Sequence, residues 1–130
     1  MGGDEVRLVD TSSWVEYLRQ LKSPATDRVG SLLLDGEAAW CDMTAVELRN
    51  GARGDREKRD LAELEKEITL LPVNAKVWQL ARKLALACRE AGLTLPTSDI
   101  VIAACATHHR LGLEHCDHHF EKILPIAARL

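Results

Sequence analysis

No apolar run in this sequence approaches the roughly 18 residues that a bilayer-crossing helix requires, which excludes a transmembrane anchor read from hydropathy. No internal repeat and no low-complexity stretch occurs, which excludes a collagen-like rod or a flexible linker. The opening Met-Gly-Gly-Asp-Glu carries acids where a signal peptide carries cations, so the chain is expected to stay in the cytoplasm. None of the four cysteines, Cys41, Cys88, Cys105 and Cys116, pairs with another as C-x-x-C, and each lies in or beside an apolar segment. They read as reduced, mostly buried thiols rather than a disulfide framework. Excess positive charge is also missing: the net charge is −3 and the pI about 5.9. A protein held to nucleic acid by bulk phosphate attraction would be basic. Contact with nucleic acid must then come from a local basic patch or from a site that itself carries cations.

What is present is an ordinary globular balance, 46% apolar and 28% charged over 130 residues. That length suits one domain spanning residues 1–130, with enough core to fold without a staple. Val6 to Val9 reads as a strand ending at Asp10. Thr11, Ser12 and Ser13 then offer capping hydroxyls to a helix with Trp14, Val15, Leu18 and Leu21 on one face. Ser23-Pro24 opens a second helix that stops at Gly36. Ala38 to Cys41 reads as a strand, followed by a helix starting at Thr44. Residues 55–67 are dense in both charges and form a solvated helix. Ile68 to Leu71 is a strand closed by Pro72, and residues 74–91 form a helix ended by Gly92. Pro96-Thr97-Ser98 opens a helix whose body, Ile100 to Ala106, is apolar on every side and so belongs in the core. Leu111 to Leu113 leads into a last short strand ending near Cys116 and Asp117. Alternating strands and helices predict an α/β fold: a mostly parallel sheet with helices on both faces. In such sheets function gathers outside the carboxyl ends of the strands.

Four acids fall at those places: Asp10, Glu47, Asp99 and Asp117. Each has a structural reading of its own. Asp10 can cap the following helix, Glu47 fits a capping box with Thr44, Asp99 suits the dipole of a first helical turn, and Asp117 suits a turn. Together they suggest more. Clustered carboxylates repel, and some must take up protons unless a cation sits among them. Mg²⁺ or Mn²⁺ matches carboxylate oxygen and retains water ligands. Such a site suits phosphodiester hydrolysis, in which the ion activates water, orients the phosphate and stabilises the leaving oxygen.

Four segments carry a resemblance. They are Leu8 to Leu18 (LVDTSSWVEYL), Thr44 to Ala52 (TAVELRNGA), Pro96 to Ala104 (PTSDIVIAA) and Cys116 to Ile123 (CDHHFEKI). In order and type they resemble the four motifs of PIN-domain ribonucleases and, more narrowly, the VapC toxins of bacterial toxin–antitoxin pairs. The resemblance implies a PIN-like three-layer α/β/α fold. It implies a magnesium-dependent endoribonuclease, with Asp10, Glu47, Asp99 and Asp117 as catalytic, metal-binding acids. Ser12 matches a hydroxyl that often lies beside the metal. The expected substrate is structured RNA such as transfer or ribosomal RNA, cut to leave 5′-phosphate and 3′-hydroxyl ends. The expected partners are a VapB-like antitoxin that holds the enzyme inactive and a second copy in a homodimer. The chain departs from the pattern twice. His119 stands where the fourth motif often has a second acid, and the sequence runs only to Leu130, so a final edge strand is short or missing.

Arg49, Arg53 and Arg56 follow Glu47 and share a helix face if one helix runs through Gly51 and Gly54. On that face they could hold RNA phosphates; the alternative is a solvated face of ion pairs. His108, His109, His115, His118 and His119 with Cys116 form a local cluster that could bind zinc. Trp14, Trp40 and Trp78 read as core. Two other functions stay open from sequence: a non-catalytic α/β interaction module with zinc on that cluster, and a PIN nuclease of RNA processing without an antitoxin.

Overall fold

Short strands and amphipathic helices alternate as expected, and a computed structural model describes them over residues 5–130. Met1 to Asp4, part of the segment on which the cytoplasmic expectation rests, lie outside the described residues. The element order is β1 (Arg7–Val9), α1 (Thr11–Leu18), α2 (Pro24–Leu34), β2 (Ala38–Cys41), α3 (Asp42–Gly51), α4 (Gly54–Glu67), β3 (Thr69–Leu71), α5 (Ala75–Glu90), α6 (Thr97–His109), β4 (Gly112–Glu114) and α7 (His118–Ala127). The four strands form one sheet in the order β3-β2-β1-β4, every pair parallel. Leu8 stands beside Ala39 and Leu113 in register. No described helix is long and apolar enough to cross a membrane.

The sheet has two apolar faces, and the pleat divides the side chains between them. On one face Leu8, Cys41 and Leu113 pack with Val77, Leu84, Ile102 and Phe120 of α5, α6 and α7. On the other Val9, Ala38 and Trp40 pack with Trp14, Val29, Leu48 and Leu61 of α1 to α4. This is the predicted three-layer α/β/α arrangement. Every residue of α6 from Ile100 to Ala106 is buried, as its apolar circumference demands.

Local signals end the helices where the chain says they should. Ser23 caps α2, its hydroxyl accepting from the Thr26 amide. Asn74 caps α5 through Val77. Gly92, at φ +81, closes α5, and the Leu93 amide returns to the Cys88 carbonyl at 2.9 Å.

The structure departs from expectation in several places. Helix α1 stops at Leu18, so Leu21 lies outside it and is exposed. Trp78 is 43% exposed while Trp14 and Trp40 are buried; its place on α5 turns it away from the buried stripe of Val77, Ala81 and Leu84. Helix α3 begins at Asp42, with Cys41 as its cap residue. Thr44 therefore sits inside the helix, and Glu47 lies in its second turn, not its first. The chain then breaks: α3 ends at Gly51, Ala52 and Arg53 are extended, and Gly54 at φ +70 starts α4. The last element agrees with expectation: among the described residues α7 follows β4 and no further strand forms.

Candidate metal centre

Strand β1 is the point where the sheet changes direction: β2 and β3 lie to one side, β4 to the other. In parallel α/β sheets such a switch point, at the carboxyl ends of the strands, is where ligands bind. The Asp10 amide bonds to the Glu114 carbonyl at 3.0 Å, locking the end of β1 to the end of β4. Asp10 is 2% exposed. Its Oδ1 accepts from the Ser13 amide at 3.0 Å, capping α1, and its Oδ2 accepts from Ser12 Oγ at 2.7 Å. Burial pushes the Asp10 carboxyl above the ordinary carboxylate range, and the bonds from Ser12 and Ser13 partly offset that push.

Asp99 stands in the first turn of α6 and Asp117 caps α7. Burial raises the Asp99 carboxyl as well, and the charges of Asp117 and Asp10 raise it further, while His119 works in the opposite direction. Asp99 thus feels the charge of both other aspartates. His119 lies between two of them: its Nδ1 is 3.0 Å from Asp99 Oδ2 and 3.1 Å from Asp117 Oδ1. Its amide also donates to Asp117 Oδ1 at 2.9 Å.

Glu47 joins through a neighbour. Its Oε1 accepts from Thr11 Oγ1 at 2.5 Å, and Thr11 also bonds Thr44 Oγ1 at 3.2 Å. Thr11 is the residue after Asp10, so α3 is tied to the carboxyl end of β1. The capping box expected of Thr44 and Glu47 does not form, because both side chains turn to Thr11. Sequence reasoning passed over Thr11, although it stands directly beside the first acid.

Cys116 forms the rim. Its Sγ is exposed, 3.4 Å from Ser12 Oγ and 3.6 Å from Glu16 Oε2. Partial burial raises its thiol above the usual value. The other three cysteines are buried, and all four are free thiols. The wider His/Cys cluster does not converge. His108 and His109 pack on each other at the far end of α6, where His109 Nε2 meets the Pro72 carbonyl at 3.0 Å. Among the described residues the one group of three or more metal-capable side chains with ligand atoms within 4.8 Å of one another is Asp117, His118 and His119.

The donor set fits a hard or borderline divalent ion. Two of its carboxyls are held in a raised state by burial, and among the described residues no lysine or arginine pairs with Asp10, Glu47, Asp99 or Asp117. The nearby cations are engaged elsewhere: Arg28 with Glu114 at 2.6 Å, Arg19 with Glu57 at 3.3 Å. Of the three arginines expected on one face, Arg49 pairs with Glu65 and Arg56 with Asp60 at 3.1 Å. The break between α3 and α4 puts Arg49 on a different helix from Arg56, so the expected common face does not form. Arg53, exposed at the break, makes no ion pair among the described residues. A surface cavity of about 930 Å³ lies between the α1–α2 turn and α4, lined by Tyr17, Leu21, Pro24 and Leu64 among others. None of the four acids lines it.

The PIN-domain family matches residues 7–123 of this chain. A VapC ribonuclease of Mycobacterium bovis and ribonuclease VapC11 of Mycobacterium tuberculosis are each 35% identical over 123 residues, covering 92% of this chain and 92% of the relative. Among solved structures the fold is shared by VapBC2 from Rickettsia felis bound to a promoter DNA fragment. The TM-score is 0.74 at 16% identity, over 93% of this chain and 94% of that one. It is shared also by FitAcB from Neisseria gonorrhoeae, with a TM-score of 0.72 at 22% identity over 95% and 94%. The chain belongs to the PIN-domain family and, within it, to the VapC ribonucleases.

Proposed function

We propose that this protein is a divalent-metal-dependent endoribonuclease toxin whose ion is held by Asp10, Glu47, Asp99 and Asp117. The observation that supports the reading is the buried Asp10 carboxyl at the sheet's switch point, whose charge helps raise Asp99 and which pairs with no lysine or arginine among the described residues. A divalent cation, Mg²⁺ or Mn²⁺, makes such a cluster tolerable and, when bound, supplies a Lewis acid and activated water for phosphodiester hydrolysis.

The chain's own residues prepare the site. Ser12 Oγ and the Ser13 amide fix both oxygens of Asp10, so its remaining lone pairs point in set directions. Thr11 holds one oxygen of Glu47 and leaves the other free. The start of α7 holds Asp117 Oδ1, and Oδ2 takes no part in those bonds. Carboxylates placed in advance lose little freedom on binding the ion. Arg53, and Arg49 and Arg56 once their exposed ion pairs open, supply phosphate contacts beside the acids; such pairs contribute roughly 0–1 kcal/mol and exchange readily.

Relatives are named as ribonucleases, and one solved structure of the same fold is named as a member of the VapBC family of toxin–antitoxin systems. On that basis the substrate is RNA, of the transfer or ribosomal class, the protein acts in the cytoplasm as a homodimer, and a VapB-like antitoxin inhibits it. The test is cleavage of total RNA by purified protein with Mg²⁺, with Mn²⁺ and with EDTA, with ends mapped against Asp10→Asn. The reading predicts metal-dependent cuts leaving 5′-phosphate ends, absent from the variant. Equal cleavage by Asp10→Asn, or cleavage that survives EDTA, overturns it.

A further inference from the structure

The outer face of α5 stands apart from the charge balance of the chain. Ala75–Glu90 holds Lys76, Arg82, Lys83 and Arg89 against one acid, Glu90, a charge of +3 in a chain of net −3, so the rest carries −6. All four cations are exposed, and among the described residues none pairs with an acid. Elsewhere Arg19, Arg28, Arg49 and Arg56 are each committed to a carboxylate. Trp78 joins the cations on this face at 43% exposure, since Val77, Ala81, Leu84 and Cys88 anchor the helix to the core. At helical spacing Trp78, Arg82 and Arg89 line one stripe about 16 Å long, and Lys76 and Lys83 follow the other border of the face. The face begins beside the acid cluster. The Val73 amide, just before α5, stands 3.5 Å from Asp42 Oδ2 in the first turn of α3, the helix that carries Glu47.

We propose that this face of α5 is an RNA-docking surface, on which the Trp78 indole stacks on an unpaired base while Lys76, Arg82, Lys83 and Arg89 hold the flanking phosphates. The proposal rests on the reading that the substrate is RNA, and it names where the strand is held outside the acid cluster. A cluster of carboxylates attracts no phosphate chain by itself, and the protein as a whole is acidic, so a separate cationic surface has to supply the attraction. Arg49 and Arg56 must first leave their carboxylates, whereas the cations of α5 meet a phosphate without breaking an ion pair. The indole adds a π-face that any base can use, and the bases free to use it are the unpaired ones of loops and single strands. A second copy of this chain does not suit the same surface, because a twofold contact of α5 with itself sets +3 against +3.

The test is binding of a short fluorescein-labelled single-stranded RNA by the full chain, read by anisotropy over a range of salt, with Asp10→Asn as the parent so that the RNA stays whole. Trp78→Ala should weaken binding about tenfold, and Trp78→Phe, which keeps a stacking ring, should recover most of that loss. Arg82→Gln and Arg89→Gln should each reduce the slope of log affinity against log salt by about 0.7, a change that a merely structural role would not produce. RNA binding at parental strength and parental salt slope by both Trp78→Ala and the double variant Arg82→Gln, Arg89→Gln overturns the proposal. So does a Trp78→Ala chain that keeps its RNA affinity but breaks up a dimer in sedimentation, since the face is then a contact between copies. If Asp10→Asn still cuts the RNA, it is the metal reading that fails. A single-stranded deoxyoligonucleotide of the same sequence then decides the α5 face by the same two readouts.

Discussion

Asp10 accepts one bond on each carboxylate oxygen, yet burial leaves its charge poorly compensated. Asparagine caps a helix as well as aspartate does. Asp10→Asn should therefore fold, keep α1 and lose RNA cleavage. Its effect on stability has a definite sign. A carboxyl whose folded pKa is raised binds a proton more readily folded than unfolded, so stability falls as pH rises from the unfolded value of 3.8 through the raised folded value. Without metal, Asp10→Asn should thus be more stable than the parent at neutral pH. That gain should vanish below the unfolded pKa, as thermal melts across pH will show. Thr11→Val removes the bond that orients Glu47 while keeping the β-branched shape. Loss of such a supporting contact should lower metal affinity about tenfold or more, measured by calorimetric titration. Asp10, Asp99 and Asp117 stand out in the sequence because each sits at a strand end or a helix start, whereas Glu47, in the second turn of α3, stands out through the motif resemblance. Thr11 does not, since a threonine after a strand is ordinary until its partner across the fold is known.

The helix punctuation follows local chemistry, and its contributions are separable. Asn74→Ala removes the side-chain cap of α5 and should destabilise the protein by about 1 kcal/mol. Gly92→Ala should cost about 1 kcal/mol, because φ +81 suits glycine and disfavours any residue with a Cβ. Denaturant midpoints at unchanged slope check both. Strand and helix positions are read well where apolar spacing and caps agree, as in α2, α5 and α6. The start of α3 is misread because Thr44 and Glu47 spell a capping box, whereas the helix starts at Asp42 after Cys41, which makes no side-chain cap bond. The break before α4 hinges on Gly54 at positive φ, and charge patterning alone does not place it. That break, not the composition of the segment, decides which way Arg49, Arg53 and Arg56 point.

Across the whole molecule, α6 joins structure to function, since its buried body sets the position of Asp99 at its first turn. Ile102→Ala should leave a cavity and destabilise the fold by about 2–5 kcal/mol, while material that remains folded keeps its metal affinity. The sequence by itself determined the α/β class and the parallel sheet, and it singled out four acids. Alternation, helical spacing and end signals are local properties written along the chain. Only the tertiary structure decided which atoms meet. Residues 10, 99 and 117 are distant in sequence. Asp99 feels the charge of the other two because β1 lies between β2 and β4 and draws the ends of three segments to one edge. The same geometry turned His119 toward two carboxylates, dispersed the other histidines and left Trp78 outside the core. Through-space contact depends on how the layers pack, and no local pattern encodes that.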